Sequence, residues 1–295
     1  MNVKTAVLLS FLFACFCFLV FIKFDGVETN HDLLFHYNHS IGNYVDFDGM
    51  HPVESYEQRP PLVSLISQPF IFFGLNGFLV GWFLLVFVFA PVLFSLFFKN
   101  WAIMLFWFAF PLPFFYVFSG TLAEFLAAVL FVFFLHFFYQ SLAFKCKKHS
   151  LNVLLLIVFI GIFSHTLSLM LFMVTGLLLI TQFLVKKRFG SIETQIEAVL
   201  FSIATITTGF FKTIVGLAQP QAFFSLLLKK ELVLLSIFFV FASFWYHERI
   251  INFAFITLFY GLCTWKPENE RQKKLVIYSA FLFASFELFR VNTIL

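Results

Sequence analysis

Long apolar runs separated by short polar breaks organise this chain. An α-helix needs about 20 predominantly apolar residues to cross a hydrocarbon core. By that ruler residues 3–24 form a first span, and residues 25–60 form the longest polar stretch in the chain. The run from Pro61 to Phe98 is too long for one helix, and Gly74, Asn76 and Gly77 break it. Residues 62–73 are therefore predicted as a short helix dipping from the interface, and residues 75–98 as the second span. Residues 101–118, interrupted by Pro111 and Pro113, make the third. Ser119 and Gly120 turn the chain into the fourth, 122–144. Residues 151–185 split at Ser164-His165-Thr166 into two short spans. Residues 191–197 are amphipathic and read as interfacial. Residues 198–228, which hold Lys212 and Pro220, read as one span or a hairpin. Three more candidates follow at 232–246, 250–265 and 275–289. The predicted fold class is all-α: a polytopic transmembrane helix bundle of about nine to eleven spans, with residues 1–295 as a single transmembrane domain.

Composition agrees with that pattern. Of the 295 residues 61% are hydrophobic and 12% charged, against about 25% charged in soluble domains. So few charges cannot cover a water-facing surface, and most of the exterior must face lipid. The 52 Phe sit easily in hydrocarbon and point to no function. The net charge of +4 has no basic patch, which argues against a nucleic-acid partner. The four cysteines, Cys15, Cys17, Cys146 and Cys263, lie outside the polar segment and carry neither disulfide nor metal-site spacing. The first apolar run lacks a small-x-small cleavage site and ends at Lys23, so it reads as a retained span rather than a signal peptide. Lys99, Lys145 to Lys148 and Lys186 to Arg188 fall on one side of the predicted membrane, which the positive-inside rule makes cytoplasmic. Segment 25–60, the turn at Ser119 and the tip at His165 then share the other side.

That first extracytoplasmic loop is chemically distinct. It holds Asp25, Glu28, Asp32, Asp46, Asp48, Glu54 and Glu57, seven of the 15 acids, and four of the eight histidines: His31, His36, His39 and His51. Arg59 is its one strong cation. Leu33, Tyr37 and Ile41 fall on one helical face, which predicts a helix lying on the membrane with Asp32 near its start, where a carboxylate is favoured. Pro60 and Pro61 fix the chain as it re-enters the membrane behind Glu57 and Arg59.

These features resemble the GT-C superfamily of membrane glycosyltransferases. Asp32, within His31-Asp32-Leu33-Leu34-Phe35-His36, resembles the family's early loop acid, although Glu28 is the alternative by its distance to Glu57. Tyr56-Glu57-Gln58-Arg59-Pro60-Pro61-Leu62 resembles the closing stretch of the aminoarabinose and protein-mannosyl branches. Phe73-Gly74-Leu75-Asn76-Gly77-Phe78 resembles the Phe-Gly turn before a long span. The hairpin from Pro113 to Glu124 resembles the one that carries a second acid, here Glu124, and Ser164-His165-Thr166 resembles an outward tip with a histidine. The resemblance covers residues 1–190, a GT-C-like module, and leaves 191–295 as variable C-terminal spans. The chain departs from the family in its short length and in having one acid where two are common.

The resemblance implies transfer of a sugar from a polyprenyl-phosphate donor to a lipid, glycan or protein acceptor, in a prokaryotic plasma membrane or the endoplasmic reticulum. Asp32 would act as general base on the acceptor, with Glu57 as its catalytic companion. Arg59 would grip the leaving phosphate, and Lys212, an isolated cation in an apolar stretch, would face the same group. Glu124, His31, Tyr56 and His165 would line the substrate. A divalent cation held by Glu57 and Glu124 with His31 or His165 remains open, because no ligand spacing fixes it. Each residue also has a plainer reading: Asp32 as a helix cap, Arg59 as a headgroup anchor, Lys212 as a snorkelling cation, Glu124 and His165 as turn residues. The sequon Asn38-His39-Ser40 lies too close to Asp32 to favour glycosylation. A non-catalytic GT-C-like scaffold subunit and a transporter or lipid flippase are the competing classes.

Overall fold

The computed structural model describes residues 3–23, 31–43, 61–118, 121–142, 148–164, 171–180, 224, 227–245 and 251–294. Every regular element among them is a helix. In chain order these are α1 (Val3–Lys23), α2 (His31–Ser40), α3 (Leu62–Ile71), α4 (Gly74–Phe97), α5 (Ile103–Phe108) and α6 (Leu112–Phe118). Then come α7 (Leu122–Leu142), α8 (Lys148–Ser164), α9 (Leu171–Ile180), α10 (Lys230–Trp245), α11 (Ile251–Thr264) and α12 (Glu270–Ile294). Two of them, α4 over its 24 residues and α7 over Leu122–Ser141, are long and apolar enough to cross a membrane. The expected hairpin tips at Ser119 and His165, and segment 181–223 with Lys212, lie outside the described residues.

The helices share one apolar core built largely of phenylalanine. Its centre stacks Phe13 of α1 on Phe108 of α5 at 5.5 Å and Phe87 of α4 on Phe108 at 5.9 Å, with Phe281 of α12 edge-on to Phe13 at 6.4 Å. Offset and edge-on pairs suit the ring quadrupole and stabilise beyond the area they bury. Phe131 of α7 meets Phe172, Phe239 and Phe253, which ties α7 to α9, α10 and α11. The predicted third span divides into α5 and α6 around Ala109 to Pro111, as its prolines require.

The helix pair α3–α4 closes tightly because Gly77 and Gly81 expose backbone on one face of α4. A Cβ at Gly77 would fall on the Phe70 carbonyl oxygen, and one at Gly81 on the Phe70 ring. Gly74 turns the chain between the two helices at φ 70°. Helix α4 ends in a Schellman motif with Lys99 at φ 54°: Asn100 N–H donates to Ser95 O at 3.1 Å and Lys99 N–H to Leu96 O at 3.3 Å. Two predictions shift. Helix α12 starts at Glu270 rather than Leu275, because Asn269 Oδ1 accepts from Gln272 N–H at 2.8 Å and caps two polar turns ahead of the apolar run. Ile41 leaves the face of Leu33 and Tyr37, because Gly42 at φ 80° ends α2 and Ile41 stays 47% exposed.

Two ends of the body are chemically different. At one, Phe98 packs on His136 at 5.2 Å and on Tyr260 at 6.2 Å, and Lys229 Nζ sits 6.0 Å from the Tyr139 ring. The end of α4, the end of α7, the start of α10 and the end of α11 therefore meet there, and α12 begins there. Lys99, Lys229, Lys266, Arg271 and Lys274 are exposed around this end. The other end carries α2.

Candidate functional site

Helix α2 is held firmly. Leu33 and Phe35 are buried, and the Tyr37 ring meets Phe78 of α4 at 5.6 Å. Gln68 Nε2 of α3 donates to Ser40 O at 3.1 Å, and Ser40 Oγ donates to His36 O at 2.7 Å. The helix stops in a second Schellman motif, with Asn43 N–H on Asn38 O at 2.9 Å and Gly42 N–H on His39 O at 3.2 Å. His31 and Asp32 lie in its first turn, as the sequence predicts. The sequon is built into this helix, and its Ser40 is buried with the hydroxyl engaged.

A run of rings leads from α2 to Glu124. Phe78 meets Trp82 at 6.4 Å, Trp82 meets Phe125 at 6.2 Å, and Phe125 meets Tyr116 at 5.8 Å. Trp82 Nε1 donates to Ser67 Oγ at 2.9 Å, which ties α4 to α3. Glu124 stands in the first turn of α7 and is 6% exposed; Thr121 just before it is buried too. Its carboxylate is within electrostatic reach of the buried Tyr116 hydroxyl. A carboxylate in the first turn of a helix faces the positive end of the macrodipole. Here that end is buried, where a charge interacts strongly with any neighbour that reaches it.

The structure thus brings the α2 segment of His31 and Asp32 and the buried Glu124 to one end of the body. Glu28, Tyr56, Glu57, Arg59, His165 and Lys212 lie outside the described residues. Among the described residues no three His, Cys, Asp or Glu side chains gather in a metal-binding group. Sequence reasoning misses Glu287, which is fully buried on α12 in line with Val276, Ala280 and Ala284. The available signal is an acid inside the apolar stretch Phe286-Glu287-Leu288. Comparison with protein-family models, with curated proteins and with solved structures finds no match.

Proposed function

We propose that the chain is a multi-pass membrane protein that transfers a sugar from a polyprenyl-phosphate donor to a lipid, glycan or protein acceptor at its α2 end. One observation carries the reading. The helix with Asp32 in its first turn and the buried Glu124 share one end of the body, opposite an end ringed by lysines. The outward faces of several helices are apolar, including Leu8, Phe11 and Leu12 on α1, Leu155, Leu156 and Phe159 on α8, and Met173 and Leu177 on α9. Exposed apolar surface on this scale suits lipid and not water. The lysine-rich end then faces the cytoplasm, and the α2 end faces out.

In this reading Asp32 takes the proton of the acceptor hydroxyl or amide as it attacks the sugar's anomeric carbon. The bond from that carbon to the lipid phosphate breaks, and Arg59 receives the phosphate charge bidentately. Glu57 and Glu124 orient the acceptor or hold a divalent cation. The test is reconstitution in liposomes with polyprenyl-phosphate-linked sugars, following release of free polyprenyl phosphate. Asp32→Asn is expected to lower turnover by about 10²-fold or more while the protein still inserts. Unchanged turnover would remove Asp32 from the reaction, and a scaffold subunit would be indifferent to Asp32→Asn and Glu57→Gln alike.

Glu287 favours a second reading. Glu287 is fully buried in the apolar part of α12, and transporters keep ionisable groups of this kind along their pathway. Under that reading Glu287→Gln abolishes substrate uptake into liposomes, while Asp32→Asn leaves it intact.

A further inference from the structure

We propose that the basic end of the body binds the headgroup of an anionic phospholipid, where Lys99 and Lys229 flank a cluster of rings. The rings come from three helix ends. Phe98, at the end of α4, lies 5.2 Å from His136 of α7 and 6.2 Å from Tyr260 of α11, and Tyr139 of α7 lies 6.1 Å from Tyr260. Lys229, just before α10, holds its Nζ 6.0 Å from the centre of the Tyr139 ring. That distance allows a cation–π attraction, and the lysine stays exposed. Lys99 follows Phe98 directly, in the left-handed turn at φ 54°, and is exposed too. The two cations therefore stand on opposite sides of one aromatic platform.

Charge, depth and surface all point to a lipid. The described side chains at this end include six cations, Lys99, Lys229, Lys266, Arg271, Lys273 and Lys274, and two acids, Glu268 and Glu270. Among the described residues only Lys273 has a carboxylate partner, Glu270 at 3.2 Å. Trp101, Tyr139 and Trp265 are half-buried at the same end, and Trp and Tyr settle at the level of lipid headgroups. Lys99, Lys229 and Lys266 beside them then stand at the height of the lipid phosphates. Below Lys99, α4 exposes Phe89, Leu96 and Phe97, and Phe97 meets His136 at 5.0 Å. A soluble anion would use the charge alone, whereas a phospholipid uses the cations for its phosphate and this apolar flank for its chains. Basic groups beside membrane helices hold anionic lipids in this way. The site rests on the reading that the chain crosses a bilayer, and it does not depend on sugar transfer.

The experiment first tests insertion of the full chain by flotation with liposomes. The chain is then held in nanodiscs of phosphatidylcholine and phosphatidylglycerol with matched acyl chains, and the lipids that stay bound on release are counted by native mass spectrometry. Phosphatidylglycerol should be retained in preference to phosphatidylcholine. Lys229→Gln should lower that preference roughly fivefold, and Lys99→Gln with Lys229→Gln more than about tenfold. Lys229→Arg should keep it. Removing the neutral pair with Glu270→Gln and Lys273→Gln should leave it unchanged. Insertion with equal retention of the two lipids, or an unchanged preference in the Lys99→Gln/Lys229→Gln variant, would overturn the site and leave the membrane reading standing. Displacement of the lipid by millimolar inorganic phosphate would assign the cations to a soluble anion and overturn the lipid site too. Failure to float would remove the membrane crossing, and the site with it.

Discussion

Trp107 repairs a backbone defect in the longest apolar helix. Within α4, residues Leu85–Phe89 wind as a π-helix, and Ala90 N–H reaches back five residues to Leu85 O. The next residue, Pro91, has no N–H to offer the Val86 carbonyl. Trp107 Nε1 donates to that carbonyl at 2.9 Å from the buried side of α5. Trp107→Phe keeps most of the ring and removes the donor, leaving a buried carbonyl unserved. The expected cost is about 1–3 kcal/mol, seen as a lower unfolding temperature in detergent. Combined with Pro91→Ala, which restores a backbone donor, the cost should shrink, and strict additivity would argue against this account. At the same scale, Glu124 was legible as a polar residue in a hairpin, but its enclosure was not. That burial comes from neighbouring helices packing around the first turn of α7, and one-dimensional hydropathy carries no such information.

At the scale of elements, hydrophobic runs locate helices well where the run and the helix coincide. Helices α1, α4 and α7 start and stop within two residues of their predicted bounds. The ruler fails where a cap, rather than hydropathy, sets the boundary. The start of α12 lies in the capping pattern Asn269-x-x-Gln272, where Gln272 Oε1 also accepts from Glu268 N–H at 2.7 Å. Gly42 likewise ends α2 before Ile41 can join its buried face. Asn269→Ala should cost about 0.5–2 kcal/mol and fray the first turns of α12, measurable as faster amide exchange confined to residues 270–274. Gly77→Ala presses a methyl group onto the Phe70 carbonyl and should separate α3 from α4 at about 1–3 kcal/mol. An unchanged melting temperature in Gly77→Ala would mean that the two helices do not close as described.

At the scale of the whole molecule, the two ends differ more than any two faces. One gathers Lys99, Lys229, Lys266, Arg271 and Lys274, and the other presents α2 and the first turn of α7. The three-lysine and Lys-Lys-Arg clusters read from the sequence predict a basic side, but residues 145–147 and 186–188 lie outside the described residues. The cations near the start of α10 and α12 extend it, and only contacts such as Lys229 on Tyr139 reveal that they share an end with Lys99. The proposal that the protein is threaded through a bilayer with α2 outside is tested most directly by labelling single cysteines with a membrane-impermeant maleimide in intact cells, scored above the background of the native thiols. Asp48→Cys should label from outside, whereas Lys99→Cys and Lys274→Cys should label only after permeabilisation. Labelling of all three from the same side would contradict the account.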